Sequence, residues 1–345
     1  MRAVYQKYIL NFKQPSGTSR GVLKTKETFF LKIIENDNIG IGECSIFRGL
    51  SCDDRPDYEK KLQWLCENIN RKAEDLLFDL IEFPSIQFGL EQAILSIKSA
   101  NSFELFPSKF TESKDAININ GLIWMGSEAF MKQQIAAKLK AGFSVIKMKI
   151  GAIDFKTELS LLKSIRKEFS SEEIELRVDA NGAFKPDDAL EKLKKLSEFE
   201  IHSIEQPIKQ GQFNEMEKLC LKTPIPIALD EELIGVFNVT KKKELLQIIN
   251  PQYIILKPSL IGGFKGSENW IQLAEKQNIG WWITSALESN IGLNAIAQWT
   301  YTLNNIMPQG LGTGSLFANN FKSPLEVKSG HLYYNKTKKW NFNLI

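Results

Sequence analysis

Val145-Ile146-Lys147-Met148-Lys149-Ile150-Gly151 sets two lysines two residues apart inside an otherwise apolar run. On a strand, side chains alternate between faces, so Lys147 and Lys149 share one face while Ile146, Met148 and Ile150 share the other. Two arrangements satisfy this pattern. An edge strand would leave the lysines in solvent, where charge pairs are usually found. A barrel strand would turn its apolar face to surrounding helices and both ammonium groups inward, a costly burial unless carboxylates compensate it. In that second case each lysine weakens the proton affinity of the other, which is how a lysine becomes a base near neutral pH.

The runs that follow bear on the choice. Ile174–Asp179 leads into Ala-Asn-Gly, a turn sequence that leaves Asp179 at the strand's end. Glu205 and Lys257 each end an apolar run just ahead of a Pro-containing break, and Asp230 closes Ile225–Leu229. Each residue alone reads as an ordinary cap or turn group. Their spacing is less ordinary: 30 residues from Lys149 to Asp179, then 26 to Glu205, 25 to Asp230 and 27 to Lys257. Each step is one strand-plus-helix unit, so five consecutive strands deliver one ionisable group apiece to the same rim. Three neighbouring carboxylates need a cation. All-oxygen ligands suit a hard divalent ion, Mg²⁺ with Mn²⁺ as the alternative. Such a site fits removal of the weakly acidic hydrogen next to a carboxylate, with the ion and an ammonium stabilising the charge that develops.

Around these stations the chain alternates. Strand-like runs occur at Ala116–Ile123, Val145–Ile150, Ile174–Asp179, Ile201–Glu205, Ile225–Leu229, Tyr253–Lys257, Gly280–Thr284 and Gln309–Gly312, with helical stretches such as Phe155–Phe169, Pro186–Leu196 and Glu268–Lys276 between most of them. The pattern predicts an α/β fold, a modified TIM (β/α) barrel over residues 111–318; a doubly wound open sheet is the competing arrangement. The first hundred residues differ. Strands at Val4–Phe12, Glu27–Glu35 and Ile39–Cys44, with a turn at Asn36-Asp37-Asn38, precede helices at about Asp57–Asp79 and Ser85–Ser99. They predict an N-terminal α+β capping domain, residues 1–110, completed by the segment 319–345.

At 345 residues, 43% hydrophobic and 25% charged, the chain can bury a sizeable core. A net charge of +3 argues against nucleic acid and membrane surfaces as partners. The four cysteines (Cys44, Cys52, Cys66, Cys220) lack metal-ligand spacing and read as ordinary thiols. With no signal-peptide pattern, a cytoplasmic protein is expected, monomeric or homo-oligomeric. The Lys241–Lys243 run is expected to be a solvated helix face.

The stations K-M-K (147–149), D-A-N (179–181), E-Q-P (205–207), D-E (230–231) and K-P (257–258) resemble those of the enolase superfamily over nearly the full chain. The K-x-K with a further lysine on strand six is similar to the muconate-lactonising subgroup. A racemase of the mandelate type would need a His–Asp dyad, but the two histidines, His202 and His331, do not end strand seven. The segments Ile41–Ser51, Phe88–Ala93, Ser285–Gly292 and Gly310–Gly314 resemble, more narrowly, the o-succinylbenzoate synthase family.

That resemblance implies a metal-dependent syn-dehydration of a small-molecule carboxylate, 2-succinyl-6-hydroxy-2,4-cyclohexadiene-1-carboxylate, to 2-succinylbenzoate in menaquinone biosynthesis. It implies Lys149 as base and acid, Lys257 as charge stabiliser, Lys147 as the group that keeps Lys149 partly deprotonated, and Asp179, Glu205 and Asp230 as metal ligands. Asn181 and Arg177 would support the metal site, and Ser285, Gly312 and Thr313 would meet substrate. Gln14–Gly21 looks like a capping loop that closes over the site. Gly312-Thr313-Gly314 lacks the carboxylates expected of a dipeptide epimerase. An N-succinylamino acid racemase or dipeptide epimerase, and a non-catalytic barrel scaffold, are the alternatives.

Overall fold

The computed structural model describes residues 1–18 and 21–342. At the N-terminus β1 (Arg2–Thr18), β2 (Gly21–Glu35) and β3 (Asn38–Cys44) form an antiparallel sheet in chain order. Asn36 takes a left-handed conformation in the two-residue β2–β3 turn. Three helices follow, α1 (Tyr58–Glu67), α2 (Ala73–Asp79) and α3 (Pro84–Lys98). The single helix expected over 57–79 is thus two. The Asn68 side chain donates to the Trp64 carbonyl, which ends α1, and Ile69 turns into the core. Helix α3 lies directly on β3 because Gly42 and Gly89 meet there: a Cβ on Gly42 would sit 1.9 Å from the Gly89 carbonyl oxygen.

The run expected as barrel strand one divides into β4 (Ala116–Asn118) and β5 (Gly121–Ile123). The break has a cause in pairing: Ile119 N–H donates to the Gly330 carbonyl, while Asn120 N–H donates to Gln309. Six more strands complete a parallel seven-stranded sheet: β6 (Val145–Lys149), β7 (Glu175–Asp179), β8 (Ser203–Glu205), β9 (Ile227–Leu229), β10 (Tyr253–Leu256) and β11 (Gly280–Ile283). The expected eighth strand, Gln309–Gly312, is reduced to two isolated bridges, Gln309 to Ile119 and Gly310 to Thr284. These bridges join the two edges, so the sheet closes and the open doubly wound alternative is excluded.

Outside the strands run α4 (Glu128–Lys140), α5 (Phe155–Glu168), α6 (Pro186–Ser197), α7 (Phe213–Lys222), α8 (Val239–Ile249), α9 (Pro258–Ile261), α10 (Gly263–Glu275) and α11 (Asn290–Thr302). The helix expected to begin at Glu268 starts five residues earlier, where the Glu91 carboxylate accepts the Phe264 and Lys265 N–H groups. A buried apolar cluster fills the space between strands and helices. The C-terminal strands β12 (Leu325–Lys328) and β13 (His331–Tyr334) pair with each other, and β13 pairs with β4. Trp340 stacks on Phe103, and Phe342 packs on Phe30 of the N-terminal sheet.

The segment 14–21, expected as a loop that closes over the site, lies mostly in the end of the β1–β2 hairpin, with Ser16 opposite Leu23 and Gly17 opposite Val22. It reaches the barrel through a bridge between Gly17 and Met125. Ser19 and Arg20 of that segment, and Asn343, Leu344 and Ile345 at the other end, lie outside the described residues. Among the described residues no helix is long and apolar enough to cross a membrane.

Candidate active site

Parallel pairing in register places the charged stations in one layer. Lys149 is opposite Asp179, and Asp179 is opposite Glu205. Asp230 lies two residues beyond Ala228, the partner of Glu205, and so shares its face. Lys257 follows β10 directly and is the N-cap of α9. Strands β6 and β10 are four apart in the barrel, so Lys149 and Lys257 approach from opposite walls. The strand of two lysines is therefore the buried arrangement: Lys147 and Lys149 are only 6% and 8% exposed.

The carboxylates that make this burial tolerable are the expected ones. Lys147 Nζ donates to Glu205 at 2.5 Å and to Asp179 at 3.3 Å. Lys149 donates to the same Asp179 oxygen at 2.8 Å and to Asn181 Oδ1 at 2.6 Å. Lys257 contacts Asp230 and, at 3.5 Å, Glu205. Asn181, in a left-handed turn, donates from its amide to Glu231.

The charges do not balance. Burial alone would raise the Asp179 carboxyl, but Lys149, Lys147 and Lys257 outweigh it and hold it well below the ordinary range. Glu205 is likewise lowered: burial and Asp179 oppose, and the three lysines win. Burial works against the Lys257 ammonium, yet Asp230 and Glu205 together raise its pKa. Lys147 is raised too, by Glu205 and Asp179 against burial, so it is a fixed cation. Asp230 goes the other way from Asp179. Burial pushes its carboxyl well up, with Glu231 and Glu205 adding to this and Lys257 opposing. Four buried carboxylates, Asp179, Glu205, Asp230 and Glu231, face three ammonium groups, and Asp230 is the one whose ionised form this crowding disfavours.

Asp179, Glu205 and Asp230 are each turned toward a lysine, and among the described residues no three such groups converge as an ion-holding cluster. As a donor set they nevertheless fit a hard cation: all oxygen, on three adjacent strand ends, with an excess of negative charge.

Above this layer lies a cavity of about 260 Å³. Lys147, Lys149, Asp179 and Lys257 line its floor, and Asn181, Ser285, Gly312 and Thr313 its walls. Glu205 and Asp230 do not reach it. Several lining residues were not foreseen. Leu23 and Phe47 come from the N-terminal module, and Leu122, Trp124, Leu287 and Leu316 supply the rest of an apolar wall. The Lys149 ammonium lies 6.0 Å from the Trp124 ring centre. These are isolated apolar side chains, and nothing in the local sequence separates them from core residues. Gln206 had a signal, its place between Glu205 and Pro207. Its side-chain oxygen accepts the Asp230 N–H, fixing the neighbouring strand end.

Three expectations need correction or placement. Arg177, expected beside the metal, points to the other end of the barrel, where it bonds Glu175 and the Pro308 carbonyl and stacks on Trp282. Lys242, expected in solvent, is buried against Trp270 and donates to the Gly266 carbonyl. His202 sits beside Ser203, Tyr253 and Trp282 at the base of β8.

Residues 131–338 match the enolase C-terminal domain-like family. The o-succinylbenzoate synthase of Desulfotalea psychrophila is 46% identical, over 96% of this chain and 98% of that protein. The crystal structure of MenC from the same organism superposes with a TM-score of 0.86 at 42% identity, covering 96% of this chain and 99% of that one. Muconate lactonizing enzyme from Pseudomonas fluorescens has the same fold, with a TM-score of 0.83 at 21% identity over 98% and 95% of the two chains. This chain belongs to the enolase superfamily and, within it, to the o-succinylbenzoate synthase family.

Proposed function

We infer that this protein acts as an o-succinylbenzoate synthase, a hydro-lyase that converts 2-succinyl-6-hydroxy-2,4-cyclohexadiene-1-carboxylate to 2-succinylbenzoate in menaquinone biosynthesis. The observation that carries the reading is the facing pair Lys149 and Lys257 beside buried carboxylates, in a chain 46% identical to such an enzyme.

Asp179, Glu205 and Asp230 would hold the divalent ion, Mg²⁺ in the first instance and Mn²⁺ as the alternative. When bound, the ion supplies charge to the substrate carboxylate and, with two ammonium groups, balances the four buried carboxylates, leaving the third lysine free to be a neutral base. Lys149 takes the proton from the ring carbon that bears the carboxylate. Its nitrogen, now an ammonium on the same face, returns a proton to the hydroxyl, the C–O bond breaks and water leaves. The electron pair freed at carbon completes an aromatic ring. Lys257, kept charged by Asp230 and Glu205, supports the negative charge that builds on the substrate carboxylate from the opposite wall. Lys147 occupies Asp179 and Glu205 from below and favours loss of the proton from its neighbour.

Asn181, Ser285, Gly312 and Thr313 bound the substrate. Residues 1–110 are the capping domain and 111–318 the barrel; of the segment after 318, Trp340 and Phe342 pack on the capping domain while β13 pairs with β4 of the barrel, and the enzyme works in the cytoplasm on a small molecule. An absorbance assay for aromatic product in the presence of Mg²⁺ tests the reading. Racemisation of N-succinyl amino acids without dehydration would sink it. Calorimetric titration with Mg²⁺ should give binding to the wild type and much weaker binding to Asp230→Asn.

A further inference from the structure

The wall formed by Ser285 and Thr313 continues into a buried chain of hydrogen bonds that the mechanism does not use. Glu288, fully buried, accepts the hydroxyl of Ser259, two residues beyond Lys257, at 2.6 Å. Its other oxygen accepts the hydroxyl of Ser285. Ser285 Oγ in turn accepts the Thr313 hydroxyl at 2.9 Å and the Leu287 N–H at 3.1 Å. Burial pushes the Glu288 carboxyl up, while Lys26 of β2 and the two serine hydroxyls pull it back. Two hydroxyl donors on its two oxygens mark Glu288 as the accepting carboxylate at the end of the chain.

The direction of this chain has a chemical result. A serine hydroxyl has one donor and two acceptor positions. Ser285 has used all three. Thr313 has spent its only proton on Ser285, so what it can offer at the cavity wall is an acceptor. An acceptor next to carboxylates and a ketone is repulsive; it requires a ligand with an O–H or N–H at that point.

We propose that Glu288 is a positioning residue which, through Ser285, makes Thr313 a hydrogen-bond acceptor for the ring hydroxyl of the substrate. The inference rests on the dehydratase reading. In that substrate, with both carboxylates ionised, the ring hydroxyl is the one remaining donor, and it is absent from the aromatic product. Accepting its O–H bond increases electron density on the oxygen that must take a proton from Lys149, so the contact favours departure as well as binding. Loss of the hydroxyl also removes the partner of Thr313, which favours release of product.

Steady-state turnover of the cyclohexadiene substrate and inhibition by 2-succinylbenzoate, both with Mg²⁺ present, separate this role from a packing role. Thr313→Val removes the acceptor and keeps the shape. Glu288→Gln lets an amide N–H face Ser285, which reverses the chain and turns the Thr313 proton into the cavity. Each should lower kcat/KM about tenfold, the worth of one buried hydrogen bond, and leave the product inhibition constant within about twofold. Thr313→Ser should retain near wild-type kcat/KM. Equal losses for substrate and product, or unchanged turnover in Thr313→Val, would overturn the proposal. Should Glu288→Gln not fold, the Thr313 pair alone decides. A folded wild type that forms no aromatic product defeats the functional reading, and this inference with it, before any variant is made.

Discussion

Glu158→Gln should remove a defined part of the pH dependence of stability. Glu158 lies in the first turn of α5, fully buried, and its carboxylate accepts the Gly151 N–H at 2.6 Å, holding the loop that leaves β6 just past Lys149. Burial pushes its pKa from 4.5 up to about 7, against the pull of the loop N–H groups of Gly151, Ile153 and Ala152. The sign follows from proton counting. Between those two values the folded protein holds a proton that the unfolded chain has lost, so stability falls as pH rises through this window and levels off above it. A difference of about 2.5 pH units corresponds to about 3 kcal/mol. Glutamine does not titrate. Its amide nitrogen cannot accept the loop N–H groups, which adds a roughly pH-independent cost of about 1–3 kcal/mol. That cost cancels when each protein is compared with itself. Tryptophan-fluorescence unfolding in urea at about pH 5 and about pH 8 should show the wild type losing about 3 kcal/mol more than the variant between the two conditions. Parallel pH profiles would refute the reasoning, because every other titrating group is common to both proteins.

Lys149→Ala should lower kcat by about 10²–10⁴ in the aromatic-product assay, the usual worth of a general base; unchanged turnover would remove Lys149 from proton transfer. Gly42→Ala drives a Cβ into the Gly89 carbonyl, so thermal unfolding should show a loss of about 1–3 kcal/mol or no folded protein at all. Lys242 has its pKa lowered to about 8 by burial. Above that value the unfolded chain binds the extra proton, so wild-type stability should rise between about pH 8 and about pH 10, and denaturant titrations of Lys242→Met should lack that rise.

The charged layer was legible because its members recur once per strand-and-helix unit and each ends an apolar run. Parallel register then brings them level without further information. What escaped the sequence depends on distant partners. The division of strand one is made by Gly330 and Gln309, about two hundred residues away. Lys242 is indistinguishable from Lys241 and Lys243 until the Gly266 carbonyl is placed beside it. The apolar wall combines Leu23 and Phe47 with Leu287 and Leu316, so its existence depends on how the N-terminal sheet docks on the barrel. Proton direction along Thr313, Ser285 and Glu288 follows from a network, whereas the sequence offered Ser285 and Thr313 as substrate contacts with no hint of which would donate and which accept.

Barrel closure at Gln309 and Gly310 has a further consequence. Gly310, Gly312, Thr313, Ser315 and Leu316 all line the cavity, yet among the described residues the segment pairs with the parallel sheet at the Gln309 and Gly310 bridges alone; beyond them Thr313 bonds Ser285 and the Leu316 carbonyl accepts the Lys13 N–H of β1. The buried Gln309 side chain pins that join, accepting the Ile283 N–H and donating to the Met307 carbonyl. Past this rivet the wall carries no ladder. Lysines and carboxylates, by contrast, sit on or directly after strands whose register cannot slip by one residue without turning every charge into the surrounding helices. Exchange of side chains at residues 312–316 therefore alters the shape offered to a ligand without breaking a ladder of the parallel sheet. The barrel keeps its reacting groups on the part that cannot shift and its choice of ligand on the part that can.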